Sequence, residues 1–428
     1  MNLLEALIER DEKRLKRIDE NPDPTKLRSN RLGFELDLGV YKAVLEAWQQ
    51  GKPILPYFPS PTLARALGSQ SIHYELFADQ FPQEAPRYVQ ASRELGLPWN
   101  ICDTMTLSIA AAMIGDLPPA AMVTFLPPVP CRVWTFHMKA IGEFFKVPQF
   151  EMDMPTDCTP ESIKYVAGQL QELIKFAESN VPGLKYDQDR HIELLEAGNE
   201  CFGYIQKDWE FRRRVPLPMD SKDSFRQPFR RDPGSSGETA KVLEYWRIRT
   251  EEIEEIVKKG ITREEKLRLL WVWGRPVYLN PMTYLAPKKV AVPSVVLPPS
   301  AIWGGRVPEP GELPELDWKL SPLEVEAFMW LSGDMLHNPV NGGRLWADQI
   351  KYICKDLKCD AIVFYQLLGC LHMGSLAKLV TDVAEKELGV QTLILTGKEL
   401  DATALAPAEF EARLTEFVDM VIAGKEQQ

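Results

Sequence analysis

The sequence lacks the signatures of several large protein classes. No stretch approaches the roughly 18 consecutive apolar residues that a membrane-spanning helix needs. The chain is acidic, with a formal net charge of −11, which argues against a surface that binds nucleic acid. The first residues resemble a charged amphipathic helix rather than a signal peptide. We therefore expect a cytoplasmic protein with no membrane or nucleic-acid partner.

Nucleotide-binding motifs are missing as well. The sequence contains neither a Walker A pattern nor G-x-G-x-x-G, and the Asn-Gly-Gly at residues 341–343 is too short to count as either. In each of these motifs, the glycines let the backbone approach a phosphate of the nucleotide closely. The chain itself is therefore not expected to bind ATP or NAD.

The cysteines do not form a recognisable local pattern. There are seven, an odd number, and no two are spaced as C-x-x-C. A disulfide framework is therefore not expected, and any metal site must be assembled from separate elements. The cysteines are Cys102, Cys131, Cys158, Cys201, Cys354, Cys359 and Cys370.

Strand-like and helix-like stretches alternate in two parts of the chain, residues 51–158 and 261–428. Such alternation predicts parallel sheets with helices on both faces. Residues 1–50 and 159–260 have helical patterns without strands between them. The sequence thus predicts the α/β class, with two doubly wound parallel-sheet domains facing a cleft and an inserted helical segment.

Three cysteines fall at predicted junctions between strands and helices. Residues 361–364 are typical of a buried strand, Gly369 permits a tight turn, and a helix begins near Ser375, so Cys370 follows the strand. Cys102 opens a helix, and Cys131 follows the strand predicted at residues 121–125. Because ligands bind at the carboxyl ends of such strands, the three thiols are expected to meet at a cleft.

Two interpretations of these cysteines remain open. Three thiolates can hold a cubane iron-sulfur cluster and leave one iron without a protein ligand. Alternatively, each cysteine is a small buried residue of the core. Cys354 and Cys359 lie at the opposite edge and are expected to be structural, whereas Cys158 and Cys201 are intermediate cases.

Other polar residues near these positions are candidates for functional or structural roles. His372 could donate to a cluster sulfide or transfer a proton, or it could cap a helix or lie at the surface; Ser375 lies beside it. Asp103 is expected to cap the helix that follows Cys102. The basic loop at residues 212–231 is either solvated or a contact for phosphates or an acidic partner.

Several segments together resemble a known family. Residues 99–102 (Trp-Asn-Ile-Cys) match its first cysteine, and Cys131 precedes a helix and then Val-Pro-Gln-Phe-Glu-Met-Asp-Met-Pro at residues 147–155. Residues 266–271 and 369–372 match two later elements in the same order. The set resembles the 2-hydroxyacyl-CoA dehydratase and benzoyl-CoA reductase subunit family.

This resemblance implies a 4Fe-4S cluster held by Cys102, Cys131 and Cys370. It implies a partner subunit of the same fold or a homodimer, and a separate ATP-hydrolysing iron-sulfur activator protein that supplies single low-potential electrons. The substrate would be a CoA thioester, either dehydrated through a ketyl radical or reduced in an aromatic ring. The chain would be an iron-sulfur reductase or a hydro-lyase component.

The resemblance also leaves alternatives. One branch of the family carries a double-cubane 8Fe-9S cluster and reduces small molecules without an acyl-CoA substrate, which needs about six thiolates. A non-catalytic subunit that only relays electrons is a further possibility.

Overall fold

Parallel strands with helices packed against them form the structure, so the predicted α/β class is confirmed. The structure is a computed structural model that describes residues 2–56, 58–72, 74, 82–125, 132–225, 232–296, 319–332, 343–370, 374 and 376–427. Within these ranges, no helix is both long enough and apolar enough to cross a membrane.

The first part of the chain places helices around two pairs of short parallel strands. Its elements are α1 (Leu3–Glu20), α2 (Ser29–Gln49), β1 (Ile54–Pro56), α3 (Pro61–Ala66), β2 (Gln70–Ile72), α4 (Ala85–Glu94), α5 (Asp103–Met113), β3 (Val123–Phe125), α6 (Arg132–Phe145) and β4 (Gln149–Glu151). The strand pairs β1–β2 and β3–β4 are joined where the Ala121 N–H donates to the Ile54 carbonyl at 2.9 Å. Helix α5 is apolar on nearly every face and is therefore buried in this core.

A helical segment follows, close to where the sequence predicts it. It contains α7 (Pro160–Asn180), α8 (Gln188–Arg212), α9 (Ser221–Phe225), α10 (Pro233–Ser236) and α11 (Thr239–Lys258). Helices α8 and α11 pack against each other through Cys201, Ile205, Val242 and Tyr245, all buried. The boundaries of the predicted domains stay a prediction.

The second α/β part contains a four-stranded parallel sheet in the order β6–β5–β7–β8. Its elements are β5 (Leu267–Val272), α12 (Met282–Leu285), β6 (Val290–Val296), α13 (Pro322–Leu331), α14 (Arg344–Asp356), β7 (Ala361–Leu367), α15 (Ala377–Val383), β8 (Gln391–Gly397) and α16 (Pro407–Glu426). The chain moves from β5 to β6 on one side and later adds β7 on the other. The order therefore reverses between β5 and β7, and this is where open α/β sheets bind ligands.

Helices cover both faces of this sheet. Trp271 and Val363, paired across β5 and β7, lie on the face that packs against Phe410 of α16. Their neighbours Leu270 and Ile362 point to the other face, which packs against α14. Because successive side chains alternate between two buried faces, β5 and β7 are apolar almost throughout, as the sequence predicts.

Candidate functional site

Cys370 lies at the carboxyl end of β7, beside the reversal in strand order. Gly369 adopts φ +85°, a left-handed conformation that favours glycine, and it turns the chain out of the sheet. The Cys370 N–H donates to the Leu367 carbonyl at 3.2 Å, and the Gly374 N–H donates to the Cys370 carbonyl at 2.9 Å. These bonds hold Cys370 half-buried at the position that the sequence predicts.

Cys102 is the residue immediately before helix α5. It adopts a non-helical backbone conformation (φ −52°, ψ 115°), and its carbonyl accepts from the Thr106 hydroxyl at 2.8 Å. The partial positive charge of a helix amino terminus favours a thiolate over a thiol. The prediction that Cys102 opens a helix is thus confirmed.

The two cysteines come from different parts of the chain and meet at one place. A Cβ at Gly369 would lie 2.7 Å from Ile101 Cα and closer still to its carbonyl, so the turn after β7 touches the backbone before Cys102. Both cysteines pack against the same core of the second sheet. Burial is the main reason that the pKa of Cys102 is raised, and the nearby Cys370 sulfur makes a smaller contribution in the same direction.

Burial is the largest cause of the raised pKa of Cys102, followed by the negative charge of Asp103. The Met105 backbone N–H acts in the opposite direction. Burial and Asp103 thus outweigh the amino terminus of α5, and they favour the neutral thiol of Cys102. A metal ion supplies a positive charge and deprotonates a coordinating thiol.

Asp103 connects the two parts of the chain instead of capping α5, so the capping prediction is wrong. It is the first residue of the helix, and its carboxylate accepts from the N–H groups of Glu399, Leu400 and Asp401 at 3.3, 2.7 and 3.0 Å. The pKa of Asp103 is raised, because the effect of burial exceeds the effect of these hydrogen bonds, which lower it. The loop after β8 is thereby fastened next to Cys102, and the Thr104 hydroxyl adds a bond to Glu399 at 2.5 Å.

The end of β5 completes this edge of the sheet. Trp273 has a left-handed backbone with φ +70°, which is strained for a bulky side chain. The Trp271 indole donates to the Gly274 carbonyl at 2.7 Å, and Glu399 lies directly against the Cα of Gly274. Three neighbouring strand ends and the start of α5 therefore surround Cys102 and Cys370.

His137 lies near this site, and the sequence alone did not indicate a role for it. It is fully buried on α6, with Nε2 at 3.2 Å from the Thr106 hydroxyl and Nδ1 at 2.7 Å from the Val133 carbonyl. Burial lowers its pKa to about 4. A neutral His137 thus joins α6, which begins directly after Cys131, to α5, which begins directly after Cys102.

Other predicted site residues have different positions. Cys131, His372 and Ser375 lie outside the described residues, as do residues 226–231 of the basic loop. Arg212 and Arg213 of that loop bind the carboxylates of Asp208 and Asp356 at 2.7 and 2.8 Å, so their charges are used internally.

The remaining cysteines do not join Cys102 and Cys370. Cys354 and Cys359 are buried at the amino-end side of β7, as expected for structural residues, and Cys201 is buried on α8. Cys158 is exposed. Across the described ranges, no group of three or more His, Cys, Asp or Glu side chains is arranged to hold a metal ion.

Comparison with known proteins identifies the family. Curated proteins gave no match. One protein family, described as 2-hydroxyglutaryl-CoA dehydratase, D-component, matches residues 62–421, which include both α/β parts and the helical segment. The match confirms the family resemblance seen in the sequence and supports a dehydratase-type enzyme role. The chain therefore belongs to the 2-hydroxyglutaryl-CoA dehydratase D-component family and is a component of a 2-hydroxyacyl-CoA dehydratase-type system.

Proposed function

We propose that this chain is the iron-sulfur component of a partner-driven, ATP-dependent enzyme that performs radical dehydration or reduction of an acyl-CoA thioester. The supporting observation is the meeting of Cys102 and Cys370 where the strand order of the second sheet reverses. In open α/β sheets this position binds ligands, and a pair of converging thiols is a donor set for iron.

The chemistry of the two described thiols is compatible with such a cluster. Cys102 and Cys370 provide two soft sulfur ligands from two separate elements, and Cys131 is the proposed third ligand. Cys131 directly precedes α6, and α6 packs beside α5, which Cys102 precedes. Burial raises the free energy needed to ionise the Cys102 thiol, and a bound cation would offset it.

A cluster bound here would supply one electron at low potential, and an iron without a protein ligand would be open to substrate. The chain's own residues would hold and shield that centre. Gly369 permits the close approach of the two cysteine-bearing segments, and Asp103 fastens the loop after β8 beside them. The amino terminus of α5 stabilises negative charge on the Cys102 sulfur. His372 and Ser375 are proposed to handle protons beside Cys370.

The proposal includes partners because the sequence has no nucleotide-binding motif. ATP hydrolysis is assigned to a separate iron-sulfur activator protein, and the second subunit is either a same-fold partner or another copy of this chain. We propose a cytoplasmic location. The alternatives are a double-cubane 8Fe-9S protein that reduces small molecules, and an electron-relay subunit without its own substrate.

Iron and acid-labile sulfide, measured per chain after anaerobic purification, test the proposal together with electron paramagnetic resonance. We expect about four irons in the natural chain and loss of the signal in Cys102→Ser and Cys370→Ser. Cys354→Ser is the matched control, since it removes a buried thiol at the opposite edge of the same sheet. About eight irons would favour the double-cubane protein, whereas no iron after anaerobic reconstitution would refute both cluster proposals.

A further inference from the structure

A cavity of about 380 Å³ lies on the side of α5 next to α4. The loops that follow β7 and β8 close it, so it is bounded by both α/β parts of the chain. Side chains from these two helices, from the two loops and from the connection between α4 and α5 line it, including Ser92, Arg93, Trp99, Thr106, Leu368 and Lys398. Neither Cys102 nor Cys370 is among the lining residues, so the cavity is separate from the thiols.

Lys398 places a buried positive charge in the wall of this cavity. Lys398 is only 9% exposed. The ammonium donates one hydrogen bond, to the Trp99 carbonyl at 2.6 Å, and lies 5.9 Å from the centre of the Trp99 ring. Burial raises the pKa of Asp103 and the positive charge of Lys398 lowers it, so this carboxylate is near, but no carboxylate of the described residues lies within ion-pair distance of Lys398. Because an ammonium has three donors and a buried charge is normally paired, Lys398 has capacity for an anionic partner.

The hydroxyl groups of the cavity are bonded within the protein, and the Asp401 carboxylate accepts from the N–H and hydroxyl of Thr403. The hydroxyls of Ser92, Thr106 and Thr403 donate to Val89, Cys102 and Asp401 respectively. The carboxylate of Asp103 accepts three backbone N–H bonds.

Arg93 lines the cavity from an exposed position and pairs with no carboxylate of the described residues. Unused hydrogen-bond donors of the wall are therefore those of Lys398 and Arg93, and they lie in the same wall as the carboxylates of Asp103 and Asp401.

The rest of the wall is apolar. Val89, Pro98, Trp99, Leu107 and Leu368 contribute side chains to it. Trp99 is 74% exposed and Leu368 is 40% exposed, so both present apolar surface where the cavity meets solvent. An alkyl chain is the type of group that such a surface favours.

We infer that this cavity binds a small monocarboxylate, with the carboxylate on the Lys398 ammonium and a short alkyl chain against Trp99 and Leu368. A monoanion matches one buried ammonium, whereas the carboxylates of Asp103 and Asp401 in the same wall would repel the second charge of a phosphate dianion. The site does not depend on the proposed iron-sulfur function, because none of the groups that bind the acid is a cluster ligand.

Calorimetric titration of the full chain with butyrate tests this inference. Butyramide, a neutral molecule of nearly the same shape, serves as the ligand control and requires no change in the protein. We expect saturable binding of butyrate, no saturable binding of butyramide, and at least about tenfold weaker butyrate binding in Lys398→Met, because a charge-assisted hydrogen bond is lost. Binding should not vary with the iron content of the preparation.

Lys207→Met is the matched control variant. Lys207 also lies 5.9 Å from an aromatic ring, that of Tyr204, but it is exposed on α8 and away from the cavity. Butyrate should bind this variant as it binds the natural chain. Equal binding of butyrate and butyramide, the absence of saturable butyrate binding, or undiminished binding in a folded Lys398→Met protein would each overturn the inference.

Discussion

Replacing Gly369 by alanine tests whether the close approach of the two cysteine-bearing segments is essential to the fold. Two separate costs are expected at this residue. The backbone has φ +85°, which an alanine adopts only with strain. The added Cβ would also lie 2.7 Å from Ile101 Cα, closer than real Cβ contacts allow, and Ile101 meets it with backbone atoms that cannot rotate away.

The magnitude follows from adding these costs. The left-handed conformation costs an alanine about 1–2 kcal/mol, and inserting a methyl group into a packed contact costs about 1–3 kcal/mol. The free energy of unfolding should therefore fall by about 2–5 kcal/mol in Gly369→Ala. Gly389→Ala is the matched control, because Gly389 has a similar φ of +67° and no atom within 4 Å of the added Cβ. It should lose only the backbone component, about 1–2 kcal/mol.

Chemical denaturation followed by circular dichroism measures both variants under the same conditions. The iron content of the two proteins gives a second readout, since separation of the segments should reduce the iron bound by Gly369→Ala but not by Gly389→Ala. If the two variants lose equal stability and retain equal iron, the turn after β7 does not hold Cys102 and Cys370 together, and the reasoning is refuted.

Two further predictions concern the contacts around Cys102. Asp103→Ala should lower the free energy of unfolding by about 2–4 kcal/mol, because buried N–H groups of residues 399–401 lose a charged acceptor; denaturation that matches the natural chain would contradict this. The pKa of His137 is lowered in the folded chain, so the unfolded chain takes up a proton first as the pH falls from about 6.5 towards 4. Between pH 8 and pH 5, the natural chain should therefore lose about 2 kcal/mol more of its free energy of unfolding than His137→Gln loses. Equal losses in paired denaturation curves would show that His137 is not held neutral in the folded chain.

The sequence predicts many of the individual elements well. The predicted strand at residues 361–364 is the core of β7 (Ala361–Leu367), and the helix predicted at residues 160–179 is α7 (Pro160–Asn180). These segments have strong periodic or continuous apolar patterns, which depend on local sequence alone. The three-residue strand β2 (Gln70–Ile72) and helix α4 (Ala85–Glu94) were not predicted. The strand is too short to show a period, and most residues of α4 are polar or exposed.

In the candidate site, too, the local sequence predicts some features and not others. The turn at Gly369 and the position of Cys102 before a helix follow from short stretches of sequence. The contact of Asp103 with the loop after β8 spans nearly 300 positions of the chain, and the sequence around Asp103 suggested a helix cap instead. Lys398 and Glu399 gave no sequence signal, because a charged pair after a strand is normally solvated.

The amino-acid sequence by itself thus determined the alternation of strands and helices, the placement of Cys102 and Cys370 at their junctions, and the family resemblance. These properties are encoded by neighbours along the chain. The sequence also predicts that the cysteines meet, but the tertiary structure decided which segments bring Cys102 and Cys370 together, that Asp103 joins the two α/β parts, and that Lys398 is buried beside a cavity. Such properties depend on the order of strands in the sheet and on packing between distant segments, and no local pattern of residues specifies them.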